Sequence, residues 1–170
     1  LDGRVLYVVH FFTGELSIID TVQWKLISKI SNRPDANLAR SVALGPDGRT
    51  AYLPHLRSNV TNRRLQFDTT VFPVVSKFNL AKQTDLPGGR IALDAIGQPS
   101  NNPWDAVVGS DGRRLHVVNA GSNDVQTIDL RNGKSLAQTN VGNNPRGIVL
   151  SADGQFAYVH NALSGDISVI

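Results

Sequence analysis

The sequence predicts an all-β chain of repeated four-stranded antiparallel units. Two observations carry this: a turn dipeptide that recurs with the same strand behind it, and a second strand at a fixed distance from that turn. Asp-Gly occurs at Asp2-Gly3, Asp47-Gly48, Asp111-Gly112 and Asp153-Gly154, in steps of 45, 64 and 42 residues. After it come Arg4-Val5-Leu6-Tyr7-Val8-Val9-His10, Arg49-Thr50-Ala51-Tyr52-Leu53-Pro54-His55, Arg113-Arg114-Leu115-His116-Val117-Val118-Asn119 and Gln155-Phe156-Ala157-Tyr158-Val159-His160-Asn161. The second element, Leu16–Asp20, Val125–Asp129 and Ile167–Ile170, begins 14 residues after its Asp, whereas Val75–Asn79 begins 28 residues after Asp47. The second unit therefore holds an insertion between its second and third strands, over 56–73.

Each unit reads as four short strands. An apolar strand (Ser41 to Leu44, Ala106 to Val108, Gly147 to Leu150) leads into Asp-Gly, a tight turn in which glycine accepts positive φ and aspartate caps the loop. The tyrosine-containing strand follows, then an alternating third strand, then a more polar fourth at Lys25 to Ile30 and Ser135 to Val141. Four strands per 40 to 45 residues is the signature of a β-propeller blade. The expected fold is thus a β-propeller of four-stranded antiparallel blades, about four of them present and the outer two incomplete. The blades fall at about 1–37, 38–102, 103–144 and 145–170. A closed ring needs more blades, supplied by the same chain or by a second copy.

Composition narrows the function classes. Hydrophobic residues make up 41% of the 170 and charged residues 18%, as in globular proteins. No apolar run reaches the roughly 18 residues of a membrane span, and no signal peptide is visible. The chain starts at Leu1 and lacks methionine, so the true N-terminus is expected to lie upstream. Seventeen Lys and Arg face fourteen Asp and Glu. The one basic cluster, Arg57, Arg63 and Arg64, has no interleaved aromatics, which argues against a nucleic-acid partner. Zero cysteines exclude disulfides, thiolate metal sites and covalent c-type haem attachment within this stretch.

The pattern Asp-Gly, three residues, Tyr-Val-x-Asn, then Val-Ser-Val-Ile-Asp resembles the YVTN-family repeats of bacterial and archaeal propellers. The resemblance covers the chain apart from Leu56 to Pro73 and Asp85 to Asn102. It implies a seven-bladed ring, export to the periplasm or cell surface, and functions that include surface-layer proteins and propellers linked to haem or quinone oxidoreductases. Any haem would sit in a partner or an attached domain. His10 and His55 depart from the pattern by replacing its asparagine, and His116 by replacing its tyrosine.

Because the repeats are in register, equivalent positions can be compared. Seven residues before each Asp stand Arg40, Trp104 and Arg146, at the mouth of the innermost strand, where a propeller forms its central funnel. Arginine and tryptophan anchor interfaces and anions; the alternative role is bonding loop carbonyls between blades. His10, His55, Asn119 and Asn161 share another position, which either braces the following turn or, for the two histidines, faces a ligand. No metal site is expected: no third ligand accompanies the histidines, and Asp85 and Asp94 lack calcium-loop spacing. Asn59-Val60-Thr61 matches a glycosylation sequon. No nucleophile or phosphate-loop motif is present and no catalytic residue is assigned. The leading expectation is a non-catalytic binding or scaffold propeller that presents Arg40, Trp104, Arg146 and the insertion to a protein partner. The alternatives are a propeller domain of an oxidoreductase or lactonase-like enzyme, with His10 and His55 in its site, and a surface-layer or adhesive repeat protein.

Overall fold

The computed structural model describes residues 3–58, 71–86, 88–93 and 98–170. These form sixteen strands in four antiparallel sheets, with no helix among the described residues. The first sheet runs β1 (Val5–Val9), β2 (Leu16–Asp20), β3 (Lys25–Ile30), each paired with the next in sequence. The third sheet is a full four-strand meander: β10 (Pro103–Val108), β11 (Arg114–Asn119), β12 (Asp124–Asp129) and β13 (Lys134–Asn140). The fourth holds β14 (Pro145–Leu150), β15 (Ala157–Asn161) and β16 (Asp166–Val169).

The second sheet is the irregular one. Its centre is a long hairpin of β6 (Thr50–Ser58) and β7 (Val71–Asn79), in register from Thr50↔Asn79 to Ser58↔Val71. The inner position is shared by two short strands that both pair with β6, namely β4 (Ala36–Asn37) and β5 (Ala43–Leu44). The outer position is likewise shared by β8 (Thr84–Asp85) and β9 (Ile91–Ala92), both on β7. The insertion thus starts as strand: Leu56, Arg57 and Ser58 pair with Pro73, Phe72 and Val71. The extra length of β6 gives β4 its partner, through Ala36↔Arg57 and Asn37↔Leu56. Residues 59–70, with the Asn59-Val60-Thr61 sequon, Arg63 and Arg64, lie outside the described residues, as does Asp94.

The turns follow from side-chain chemistry at the strand ends. Asp47 Oδ1 accepts from the Arg49 and Thr50 amides at 2.9 and 3.2 Å. Asp111 and Asp153 do the same for Arg113 and Gln155. At the other turn, Asp20, Asn79 and Asp129 cap the loops after the third strands through Val22, Lys82 and Arg131.

The cores lie between sheets, so each strand alternates between two neighbours. Leu16, Ile18 and Ile30 of the first sheet meet Ala51, Leu53 and Phe78 of the second. Tyr52, between Ala51 and Leu53, points the other way, into a cluster with Val75, Ala106, Leu115, Val117 and Ile128 of the second and third sheets. Val118, one residue on from Val117, joins Val125 and Val159 between the third and fourth.

A candidate binding rim

Local backbone geometry aims the side chains at the mouth of the innermost strands. Arg40 sits in the break between β4 and β5, where the inner strand leaves the sheet. In the third and fourth sheets the pairing slips between Pro103 and Asp105 and between Pro145 and Gly147, so Trp104 and Arg146 are the bulged residues. A bulge re-aims the side chain it carries. Two residues before each of the three, Leu38, Asn102 and Asn144 take left-handed φ of 56°, 54° and 54°. Asparagine tolerates that region; leucine is strained there. The Leu38 amide is held by Asn37 Oδ1 at 2.8 Å.

These bends bring the sequence-predicted trio together. The guanidinium carbon of Arg40 lies 4.2 Å from the Trp104 ring centroid, and that of Arg146 lies 4.4 Å from it. Arg40 also stands 5.0 Å from the ring of Phe11, which packs edge-on against Phe12 at 4.9 Å. The result is a ladder, Phe12–Phe11–Arg40–Trp104–Arg146, with rungs from all four sheets. Cation–π attraction holds each neighbouring pair of arginine and ring. Arg40 donates through Nη1 to Asn102 Oδ1 at 2.9 Å and to the Leu38 carbonyl at 3.2 Å, tying the second sheet to the third. Arg146 is exposed and, among the described residues, hydrogen-bonds its own loop alone, Nε to Asn144 Oδ1 at 2.6 Å. The pKa of Arg40 is lowered by burial and then by the charge of Arg146.

Phe11 and Phe12 were not picked out from the sequence, though a signal was there. At their positions, nine and ten residues after Asp, the other units carry Leu56 and Arg57, Ala120 and Gly121, and Ala162 and Leu163. Phe12 is 74% exposed and Phe11 39%.

The histidines bond partners outside this ladder. His10 Nε2 bonds Ser17 Oγ at 2.7 Å. His55 is fully buried, with Nδ1 on the Leu56 carbonyl at 2.9 Å and Nε2 on Ser76 Oγ at 2.9 Å. Neither ring nitrogen of His55 is left for a ligand. Donation from Nδ1 to the carbonyl makes Nε2 the acceptor of the Ser76 proton. The nearby Asn32 Oδ1 is then served by the Arg33 amide at 2.8 Å and by Arg90. Burial pushes the His55 pKa down to about 4. Asn119 and Asn161 brace the same corner by donating to Asp124 and Asp166. Asp85 pairs with Arg33 at 3.4 Å.

The opposite end of the strands carries a cleft of about 420 Å³ between the third and fourth sheets, lined by Asp111, Arg114, His116, Thr127, Asp153 and Phe156. It opens where His116 replaces the tyrosine that fills the equivalent place as Tyr52 between the second and third sheets. His116 is half-buried and bonds Thr127 Oγ1 through Nδ1 at 3.0 Å. Burial lowers its pKa. Among the described residues, no three His, Asp or Glu side chains converge as metal ligands, and no helix is long and apolar enough to cross a membrane.

Among solved structures, the chain matches hydrazine synthase from Kuenenia stuttgartiensis at a TM-score of 0.81. The match covers 99% of this chain and 56% of that one at 19% identity. Identity that low shows shared architecture alone. The fold is a β-propeller. This chain spans about half the length of its matched neighbour. No family model matches the sequence, and no curated protein matches it. Within the propeller, the ladder lies at the mouths of the innermost strands, and the β6–β7 hairpin of the second blade extends toward the same end.

Proposed function

We propose that this chain is part of a YVTN-type propeller that works as a non-catalytic binding scaffold, exported to the periplasm or cell surface. Its partner is a protein, and the docking face is the rim formed by Arg40, Trp104 and Arg146 together with the blade-two hairpin. The observation that carries this is the five-residue ladder across four blades. Arginine, tryptophan and phenylalanine in one partly exposed cluster are the composition of an interface hot spot. The motif pattern supports the YVTN assignment, and with it a redox assembly in which a partner or an attached domain carries haem. The remaining blades, from the same chain or a second copy, cover the flanks of the first and last sheets. Leu6 and Ile167 are 42% and 64% exposed there, whereas their equivalents Leu115 and Val125 are fully buried between blades.

A photo-crosslinking residue at position 12 tests the docking face in the native host. It should give a defined adduct that Trp104→Ala removes, while one at Val22, 74% exposed at the other end, should not. Equal labelling from both positions would contradict the assignment.

The match to a chain of hydrazine synthase, an enzyme by its name, favours a second reading: a propeller domain within an oxidoreductase. That reading predicts loss of turnover without loss of fold when His10 is replaced.

A further inference from the structure

We propose that the ladder reads carboxylates, and that its occupant is an acidic segment of the protein partner in which Asp or Glu stands beside an apolar residue. This rests on the rim being the docking face. The guanidinium carbons lie 4.2 and 4.4 Å from one indole centroid, so the two cations are at most 8.6 Å apart. Neither is paired with a carboxylate among the described residues, where the ion pairs involve Arg33, Arg90 and Arg131 instead. Like charges repel, and a bound anion would relieve that repulsion. Asp105, next to Trp104, is already engaged: its two oxygens accept the Ala106 and Ile148 amides at 2.9 and 3.2 Å.

The donor inventory points the same way. Arg146 spends only Nε on the protein, and its two terminal nitrogens have no partner among the described residues. A guanidinium edge of that kind takes a carboxylate through two parallel N–H bonds, a geometry that stacking on an indole leaves free. Trp104 fixes the plane of the charge, which lowers the entropy lost on binding.

The aromatic end decides between a small dianion and a peptide. Phe12 is 74% exposed, and Phe11 and Phe12 continue the ladder directly from Arg40. A free dicarboxylate would satisfy the arginines and leave the phenyl rings in water. A chain segment covers both, with its acids on the arginines and its apolar residue on the rings. The 420 Å³ cleft lies at the opposite end of the strands from this cluster, so the surface suits a strand or loop laid across it.

The test uses Trp104 as its reporter. This sequence has two tryptophans, so Trp24→Phe, with any tryptophan in the rest of the protein also replaced, leaves Trp104 as the reporter. The intact protein with that change is titrated with a short peptide of alternating glutamate and leucine. The same peptide with glutamine, and glutarate alone, serve as controls. Trp104 emission should respond saturably to the acidic peptide. Arg146→Gln should weaken binding by roughly tenfold or more. Salt at 1 M, where the screening length is about 3 Å, should abolish most of it. Phe12→Ser should weaken the peptide and leave glutarate unchanged. Equal binding of the glutamine peptide, indifference to Arg146→Gln, or no response would overturn the proposal. Glutarate binding as tightly as the peptide would overturn its peptide half. The crosslink at position 12 reports separately: an adduct indifferent to Arg146→Gln keeps the docking face and sinks the carboxylate reading.

Discussion

Burial decides the chemistry of His55. Its ring has no exposed surface and both nitrogens are bonded, so the neutral form is favoured and the pKa falls from 6.5 to about 4. Above pH 6.5 the ring is neutral in folded and unfolded chains alike, and stability is flat. Between pH 6.5 and about 4 only the unfolded chain takes up the proton, so stability falls as pH falls. The loss amounts to about 3 kcal/mol in all. His55→Asn, which installs the residue found at the equivalent Asn119 and Asn161, should remove most of that slope in urea melts taken across this range. A slope unchanged by the substitution would show that His55 is not the titrating group. At this scale the sequence was partly legible. Position in the repeat was enough to place Arg40, Trp104 and Arg146 at equivalent points, the mouths of the innermost strands, but not to show that their side chains stack on one another. Phe11 and Phe12 escaped because a turn aromatic declares itself only when its exposure is known. The Ser76 partner of His55 escaped because bonding partners across strands have no sequence signature.

Turn geometry at the scale of single elements shows what the repeat tolerates. The last residue of the loop after each third strand is left-handed: Trp24 at 52°, Gln83 at 54° and Gly133 at 71°. Glycine meets that need without a Cβ penalty; Trp24 does not, and 75% of it is exposed, so little packing offsets its strain. Trp24→Gly should therefore stabilise the chain by about 1 kcal/mol, measured as a raised denaturation midpoint at constant slope. A lowered midpoint would mean that the indole packs against something the exposed surface does not reveal. The strands themselves were legible because alternation and Asp-Gly fix register. The bulges at Trp104 and Arg146, and the split of inner and outer strands in the second blade, were not. A bulge is a response to what a side chain must reach, and β4 exists only because β6 is long enough to pair with it.

Among the described residues, three cores lie between the four sheets, the largest between the second and third, and the same alternation that fills them leaves apolar faces on both outer sheets. On the last, Tyr158, Ile167 and Val169 are 40%, 64% and 57% exposed, whereas Tyr52, at the position of Tyr158, is 7% exposed. Burying such side chains is worth roughly 1.5 to 3 kcal/mol each, which no solvated flank recovers. The fold class could be read from the sequence because each repeat states the same packing problem. The proposed ring could not, because nothing among the described residues pairs with the outward faces of the first and last sheets. In the proposed function these blades are consecutive sectors of a closed ring with one binding face. Thiol labelling read peptide by peptide tests it directly, and these residues contribute no native cysteine. In the intact native protein, a cysteine placed at Ile167 should react far more slowly than one placed at Phe12, because the next blade covers the first and only solvent covers the second. Equal, rapid labelling at both positions would contradict the closed ring.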